Sequence, residues 1–454
     1  MAMADKHTID MTEGPLLPQI IAFSLPLMAS ALLQMIFNTA DMIVVGRFCS
    51  HQSLAAIGAT APLNQIIIGA FLGLAGGANV LTANSFGAKN TPRTIAAVHT
   101  TVAIALFGGI ILGCATPFVV RPLLVLMKTP PEVLDGATLY MQIICGGIPF
   151  ISLYNFGSAL MRSFGDSRRP MNYLAFAGVL NVLLNLFFVL VMHLDVAGVA
   201  WATILSQAVS AFLVLRSLAR MPDAWRLQVR RLSTDFNILR GIIRIGLPNG
   251  IQTSFFAMTN MLIQSSVNSL GEKAMAGNAA AGNIEAYVAI IDIAAILAGM
   301  SFVGQNKGAR KYHRLCQSIK YNLYYSLAAN VILSWAVLLV GRTLLAAFNG
   351  DPEVIEYGYE RMFVMLASYV LVITMDSIAG ALRGLEHAWM PMISTFVGVC
   401  GFRTIWILTV FRRHHTMSVL MMSYTFSWAI VALVTGTYLY IQCRRLLKRD
   451  DCAD

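Results

Sequence analysis

The sequence predicts an all-α, polytopic membrane protein with twelve transmembrane helices. Of the 454 residues, 57% are hydrophobic and 12% are charged, against about 25% charged residues in soluble proteins. The apolar residues fall in long blocks, and residues 174–192, 196–218 and 417–441 each approach or exceed the roughly 20 residues that cross a bilayer. A chain with this composition has to place most of its surface in lipid.

Twelve apolar segments can be placed along the chain. The second and the eighth are the weakest, because they are rich in Gly, Ala, Asn and Gln, which favour helix contacts and partner helices over lipid. The predicted spans are centred near Asn38, Ile68, Leu106, Phe150, Leu183, Gln207, Thr253, Ile291, Val331, Tyr369, Val399 and Ile430.

The two halves of the chain repeat each other. Arg162 and Pro170 recur as Arg383 and Pro391 at a separation of about 221 residues, a period too long for a solenoid. An even number of spans in each half gives both halves the same orientation, which is a parallel repeat. The sequence therefore predicts two six-helix lobes.

The predicted boundaries follow from the long charged stretch that separates the halves. We expect a cytoplasmic tail over residues 1–14, a first lobe over 15–220, a cytoplasmic linker over 221–240, a second lobe over 241–443 and a cytoplasmic tail over 444–454. The first tail lacks the apolar region and the small-residue cleavage site of a signal peptide.

The net charge of +10 reflects topology rather than nucleic-acid binding. Lys and Arg cluster on the side of the predicted spans that carries both tails, notably in residues 216–244, 307–314 and 444–449. This is the positive-inside pattern, and it favours contact with anionic lipid. We expect a protein of the cytoplasmic membrane that binds no nucleic acid and is complete as a monomer, because one chain holds both lobes.

No motif indicates an enzyme or a bound cofactor. The seven cysteines form no C-x-x-C pair, and the motifs G-x-x-x-x-G-K-[ST], H-E-x-x-H and G-x-S-x-G are absent from the sequence. We therefore expect no metal site beyond one for Na+, and any transport has to draw on an ion gradient or on the substrate's own gradient.

Asp41 lies toward the outer end of the first predicted span, where a carboxylate is costly and is a candidate for a functional group. It can bind a proton or a cation; alternatively, it lies at the membrane interface and meets only water. Asn38 lies three residues earlier on the same helical face. Asn38 and Gln34 are candidates for the lining of a substrate cavity.

The fifth and sixth spans supply further oxygen atoms. Asn181 and Asn185 lie one turn apart on the fifth span, and Thr203 lies near the start of the sixth. Together with Asp41 they can hold a hard monovalent cation or surround a proton acceptor. Alternatively, the asparagines are hydrogen-bonding residues between packed helices.

The second half contributes three acidic residues to the predicted spans. Glu285 and Asp292 lie seven residues apart on one face of the eighth span, and Asp376 lies in the tenth. They can attract a cationic substrate or take part in ion coupling. Alternatively, one of them pairs with Arg403 in the eleventh span.

Pro26 and Pro248 occupy matching positions in the first helix of each half. Proline removes a backbone hydrogen bond and permits a bend. The two residues are candidates for hinges, and the alternative is a static kink at the helix entry.

Five motifs follow one another along nearly the whole chain: Met11-Thr12-Glu13-Gly14-Pro15, Asn38-Thr39-Ala40-Asp41, Val44-Val45-Gly46-Arg47-Phe48, Gly304-Gln305-Asn306-Lys307-Gly308-Ala309 and Leu382-Arg383-Gly384. In their order and spacing, and in the six-plus-six repeat, the sequence resembles the bacterial branch of the multidrug and toxic compound extrusion (MATE) family.

The resemblance implies a V-shaped pair of lobes that open alternately to either side. It also implies export of amphipathic, often cationic organic molecules in exchange for H+ or Na+, with a coupling site in the first lobe at the positions of Asp41, Asn181, Asn185 and Thr203. The family usually has Asp where this chain has Asn185. The site would then have one carboxylate fewer, which is compatible with a proton on Asp41 or with a single Na+.

The sequence and the resemblance together predict a secondary active antiporter for multidrug efflux. The alternative is a flippase for a lipid-linked precursor, which needs a basic central cavity, whereas only Arg403 lies clearly inside a span. The missing motifs disfavour a membrane-embedded enzyme. A channel is disfavoured because two matched lobes suit rocking better than a fixed pore.

Overall fold

The structure, a computed structural model, describes residues 8–222, 225–228 and 232–450. The predicted tails and the linker therefore lie partly outside the described residues, at 1–7, 223–224, 229–231 and 451–454. Within the described ranges the regular structure is helical and no strand occurs. The all-α prediction is confirmed.

In the described residues, the first half of the chain forms eight α-helices. A π-helical turn joins α3 to α4, and another extends α7. The helices are α1 Leu16–Phe48, α2 His51–Gly87, α3 Thr91–Ala103, α4 Gly109–Leu126, α5 Pro131–Gly146, α6 Ile148–Ser163, α7 Arg168–Leu186 and α8 Asp195–Ala219.

The second half, as far as the structure describes it, forms nine α-helices. Two π-helical segments, Phe396–Gly401 and Ile407–Phe411, flank α16. The helices are α9 Phe236–Asn268, α10 Glu272–Val288, α11 Ile290–Gly308, α12 Tyr312–Phe348, α13 Pro352–Ala367, α14 Tyr369–Gly384, α15 Trp389–Thr395, α16 Phe402–Trp406 and α17 Met417–Asp450.

Nine helical stretches in the described part of the chain are long and apolar enough to cross a membrane. Two bent pairs, α5 with α6 and α13 with α14, raise the number to eleven if each pair is one span. Each predicted centre lies in a different helical stretch, but α9, which holds the seventh centre, is not among the eleven. The polytopic membrane class is confirmed, and the count of twelve stays a prediction.

The chain divides into two compact units, and helices α1 and α9 contribute to both. Each of these helices changes unit within two residues of its proline, Pro26 or Pro248. This division differs from the predicted lobe boundaries. Unit 1 comprises Ala29–Leu247 and the described part of Met1–Asp10; unit 2 comprises Met11–Met28 and the described part of Pro248–Asp454.

The packing of the two helix segments explains the division. In unit 2, the ring of Phe23 on α1 packs edge-to-face on Phe302, with centroids 5.8 Å apart. In unit 1, the backbone of α9 lies so close to α2 that a Cβ atom on Gly77 would be 2.4 Å from the carbonyl oxygen of Ile242. Close approach through small residues is the usual way in which membrane helices pack.

Each unit has an apolar core of its own. In unit 1, Phe71 packs edge-to-face on Phe156; in unit 2, Tyr369 packs in the same way on Trp428. The outer faces of the helices are also apolar, and Leu339, for example, is 85% exposed. Apolar side chains on both the inner and the outer face are expected of helices that lie in lipid.

Candidate ion-binding site

Asp41, Asn181 and Asn185 meet inside unit 1. The Nδ2 atom of Asn185 donates a hydrogen bond to Oδ1 of Asp41 at 2.5 Å and another to Oδ1 of Asn181 at 3.3 Å. Asn185 is fully buried and Asn181 is 6% exposed, whereas Asp41 is only partly buried. The carboxylate is therefore held by an amide on its inner side and can still be reached by a small ion.

The amide of Asn185 has an unused acceptor. Its Oδ1 atom is buried and has no hydrogen-bond partner among the residues that the structure describes. A buried polar atom without a partner is costly, and an amide oxygen is a good ligand for a hard cation. Asp41 and Asn185 thus supply a carboxylate and an amide oxygen without a hydrogen-bond partner in the described residues, which are ligand types that suit either Na+ or a proton held on the carboxylate.

A glycine determines how closely α1 approaches α7 at this site. A Cβ atom on Gly178 would lie 1.8 Å from a ring carbon of Phe37. Asp41 follows Phe37 by about one helical turn, and Asn181 and Asn185 follow Gly178 by about one and two turns. Gly178 is therefore a site residue that the sequence analysis missed, because glycine in a membrane helix usually indicates only packing.

The other predicted residues of α1 and α8 are not joined to Asp41 by any hydrogen bond found in the described ranges. The hydroxyl of Thr203 donates to the carbonyl of Val199 in its own helix at 3.0 Å. Gln34 and Asn38 are exposed on α1. Their roles in coupling and substrate binding stay predictions.

Tyr140 on α5 is a further neighbour of Asp41. Its side chain is 8% exposed, and its phenol interacts electrostatically with the Asp41 carboxylate. Tyr140 could not be predicted as a neighbour of Asp41, because an aromatic residue in an apolar helix is usually part of the core. The site thus draws on a third helix besides α1 and α7.

In unit 2, Glu285 forms a buried ion pair with Arg361 of α13. The guanidinium donates from Nε to Oε1 at 3.1 Å and from Nη2 to Oε2 at 2.7 Å. A third donor, Nη1, contacts Oδ1 of Asn278, which lies about two turns before Glu285 on α10. This bidentate arrangement is the preferred geometry between Arg and a carboxylate, and it leaves Glu285 neutralised.

The other two acidic residues of unit 2 lie close to each other. The carboxylate of Asp292 interacts electrostatically with that of Asp376, which in turn interacts with the guanidinium of Arg383. Arg383 donates from Nη2 to Oε1 of Gln252 at 2.7 Å. The Arg383 charge therefore compensates Asp376, and Oδ1 of Asp292 has no hydrogen-bond partner in the described residues.

Arg403 is not the partner of Glu285 that the sequence analysis considered. It is 1% exposed and lies over the ring of Tyr424 at 3.8 Å, and its Nε atom donates to Ser427 at 2.9 Å. The aromatic face replaces a carboxylate as the partner of this buried cation. The predicted pairing is wrong for Glu285 because Arg361 occupies both of its carboxylate oxygens.

Together, the fold and the site define a polytopic α-helical membrane protein with a partly buried carboxylate that is hydrogen-bonded to a buried amide. The sequence profile of the MatE family matches residues 26–187 and again residues 248–408. The chain therefore belongs to the MatE family, and the two matches reproduce the predicted repeat.

Known relatives extend over almost the whole chain. It is 25% identical over 438 residues to the probable multidrug resistance protein YoeA of Bacillus subtilis, with 94% of each chain covered. It is 25% identical to the probable multidrug resistance protein NorM of Thermotoga maritima, with 84% of this chain and 82% of the relative covered.

The fold is that of solved MATE structures. A crystal structure of MATE in complex with MaL6 superposes with a TM-score of 0.90 at 20% sequence identity, covering 98% of this chain and all of that one. The predicted MATE architecture is thereby confirmed for the fold.

Proposed function

We propose that this protein is a secondary active antiporter that exports amphipathic, often cationic organic compounds in exchange for H+ or Na+. Its place in the MatE family and the names of its relatives support multidrug efflux. The exchange proceeds by alternating access in the cytoplasmic membrane, with both tails in the cytoplasm. The protein works as a monomer, without a cofactor or a nucleic-acid partner.

One observation carries the ion coupling: the Asp41 carboxylate is held by Asn185 within a membrane helix, beside two amide oxygens. A proton on Asp41 replaces the charged acceptor of the 2.5 Å hydrogen bond by a weaker neutral one, and Na+ competes with the amide hydrogen for the same oxygen. Either ion therefore changes how α1 is held against α7. Binding of the ion can bias one arrangement of these helices over another, which is the requirement for coupling.

The flippase alternative needs a basic cavity for a pyrophosphate. In unit 2, Arg361 is paired with Glu285 and Arg383 interacts with Asp376, whereas Arg403 is held by the Tyr424 ring and the Ser427 hydroxyl. Two of these three charges are balanced by carboxylates, which supports organic cations better than a pyrophosphate.

The test is uptake of ethidium into everted membrane vesicles, with proton and sodium gradients imposed separately. We expect uptake to follow one of the two gradients and to stop in the Asp41→Asn variant, which keeps the shape of the side chain but cannot carry a charge. The proposal is contradicted if the rate of uptake depends on neither gradient, or if Asp41→Asn takes up ethidium at the wild-type rate.

Asp135→Asn is the matched control for this experiment. Asp135 is an exposed carboxylate whose side chain is 81% accessible and which forms only a surface ion pair with Arg121. The same charge is removed outside the site, so uptake should stay at the wild-type level. The amount of each variant in the membrane is measured by immunoblot.

A further inference from the structure

The outer ends of α1, α2 and α8 are joined by one carboxylate, that of Asp195. The hydroxyl of Ser53 on α2 donates to Oδ2 of Asp195 at 2.7 Å, and Ser53 is 3% exposed. The thiol of Cys49, which directly follows α1, interacts with the same carboxylate, and the N–H of Ser53 donates to Oγ of Ser50 in the turn between α1 and α2. Asp195 is the first residue of α8, so this cluster ties three helices together on the side predicted to be extracellular.

Cys49 continues the hydrogen bonding of α1. Its N–H donates to the carbonyl of Val45 at 3.0 Å, so a displacement of Cys49 moves the end of the helix. The backbone of Asp195 has φ of 47°, in the left-handed region that Asn and Asp tolerate best among residues with a side chain. The surrounding contacts therefore hold Asp195 in a conformation that the chain would not adopt freely.

The cluster also determines how far two predicted site residues lie from the outer ends of their helices. Asp41 precedes Cys49 by eight residues on α1, and Thr203 follows Asp195 by eight residues on α8. At about 1.5 Å per residue, each lies about 12 Å from the cluster along its own helix. Because α1 runs toward this cluster and α8 runs away from it, joining the two ends places Thr203 and Asp41 at the same level.

We propose that Asp195 is a positioning residue for the ion-binding site: it joins the outer ends of α1 and α8 and so holds Asp41 level with Thr203. This inference rests on the proposed function, because it assigns a role in ion coupling to a residue about 12 Å from Asp41. It predicts that loss of the Asp195 charge weakens ion binding without removing the ion-binding carboxylate.

Cys49 is a built-in reporter of this contact. Burial and the neighbouring Asp195 carboxylate raise the pKa of the Cys49 thiol to about 12. The thiolate is the form that reacts with maleimide, so Cys49 should react slowly near neutral pH. Removing the Asp195 charge lowers the pKa and opens access to the thiol, and both effects increase the rate.

The variants are Asp195→Asn, Ser53→Ala and the control Asp135→Asn. Asn suits the left-handed backbone of position 195 and keeps the volume, so the first variant removes the charge and replaces one acceptor oxygen by an NH2 donor. Intact cells are treated with a membrane-impermeant maleimide, and the adduct on the Cys49 peptide is quantified by mass spectrometry. We expect labelling of Cys49 to rise about tenfold in Asp195→Asn, the change that one pKa unit produces.

Ethidium uptake into everted vesicles is then measured at increasing concentrations of the coupling ion. In Asp195→Asn and Ser53→Ala we expect the half-saturating ion concentration to rise severalfold while the maximal rate changes less than twofold. A lesion that merely unfolds the protein lowers the maximal rate and the membrane level instead. Asp135→Asn should match the wild type in both assays.

Two results would overturn the inference. One is labelling of Cys49 at the wild-type rate in both Asp195→Asn and Ser53→Ala; the other is faster labelling with an unchanged half-saturating ion concentration. If wild-type vesicles show no ion-driven uptake, the proposed function fails first, and the positioning role fails with it. The labelling data then still show whether Asp195 holds Cys49.

Discussion

The ring of Phe37 lies directly over Gly178, at a distance that no side chain on residue 178 would permit. This contact brings the segment of α1 that carries Asp41 onto the segment of α7 that carries Asn181 and Asn185. The ion-binding set therefore depends on the absence of one methyl group.

We predict that Gly178→Ala abolishes ion-coupled uptake at normal expression. The new methyl group would lie 1.8 Å from the Phe37 ring, whereas carbon atoms pack at about 3.5–4.0 Å, so α1 has to shift and the Asp41–Asn185 hydrogen bond breaks. Ethidium uptake measures the loss. A second change, Phe37→Leu, makes room for the methyl group and should restore part of the activity; a double variant as inactive as Gly178→Ala argues against this explanation.

Asn185→Asp should increase the affinity of the site for sodium. The change adds a second carboxylate beside Asp41, and two adjacent carboxylates bind a cation more tightly or share a proton. We expect the half-saturating Na+ concentration for uptake to fall about tenfold, equivalent to about 1.4 kcal/mol, and to rise again as the pH is lowered. A sodium response identical to that of the wild type would show that residue 185 does not face the ion.

The buried ion pair of unit 2 should be important for stability. Arg361→Met leaves Glu285 charged, buried and unpaired, which destabilises proteins by about 3–5 kcal/mol. We expect a clear fall in the midpoint temperature of unfolding of the purified protein. The double variant Arg361→Met with Glu285→Leu should recover most of it, because no lone charge remains.

A surface ion pair provides the control for this measurement. Arg342 and Glu356 are 3.0 Å apart with side chains that are 63% and 64% exposed, and such pairs contribute about 0–1 kcal/mol. Arg342→Met should therefore hardly change the midpoint. Equal shifts in Arg342→Met and Arg361→Met would contradict the assignment.

The chain before α1 should become more mobile in Arg314→Lys. The guanidinium of Arg314 donates to the carbonyl oxygens of Met11, Glu13 and Gly14 at 2.7–3.0 Å. A lysine cannot reach three carbonyls in a fixed geometry, so hydrogen exchange of the amides in residues 11–14 should accelerate. Arg310→Lys, which changes an exposed arginine nearby, should leave their exchange unchanged.

The central part of the candidate site could be predicted from the sequence, because charge and amide groups stand out in apolar helices. Asp41, Asn181 and Asn185 were identified in this way, and the structure brings them into contact. Arg361 could not be predicted as the partner of Glu285. The two residues are 76 positions apart, and only the packing of α10 on α13 brings them together.

The division of the chain into units could not be predicted from the sequence, for a similar reason. Hydropathy and the repeat place boundaries in the polar linker, but they say nothing about which helix packs on which. The position of Phe23 against Phe302 and that of Ile242 against Gly77 are properties of the folded chain. Pro26 and Pro248 lie near the points at which the two helices change unit, but the sequence does not indicate which unit each segment joins, and their role as hinges stays a prediction.

Because Met11–Met28 packs in unit 2, the ribosome makes this segment long before its neighbours exist. Nδ2 of Asn306 donates to the carbonyl of Met11 at 3.0 Å, across 295 positions of sequence. The start of the first helix therefore lacks its native neighbours until most of the polypeptide has been synthesised. Assembly of unit 2 cannot finish before that, so a nascent chain that stops within the linker leaves the start of its first helix without its native neighbours.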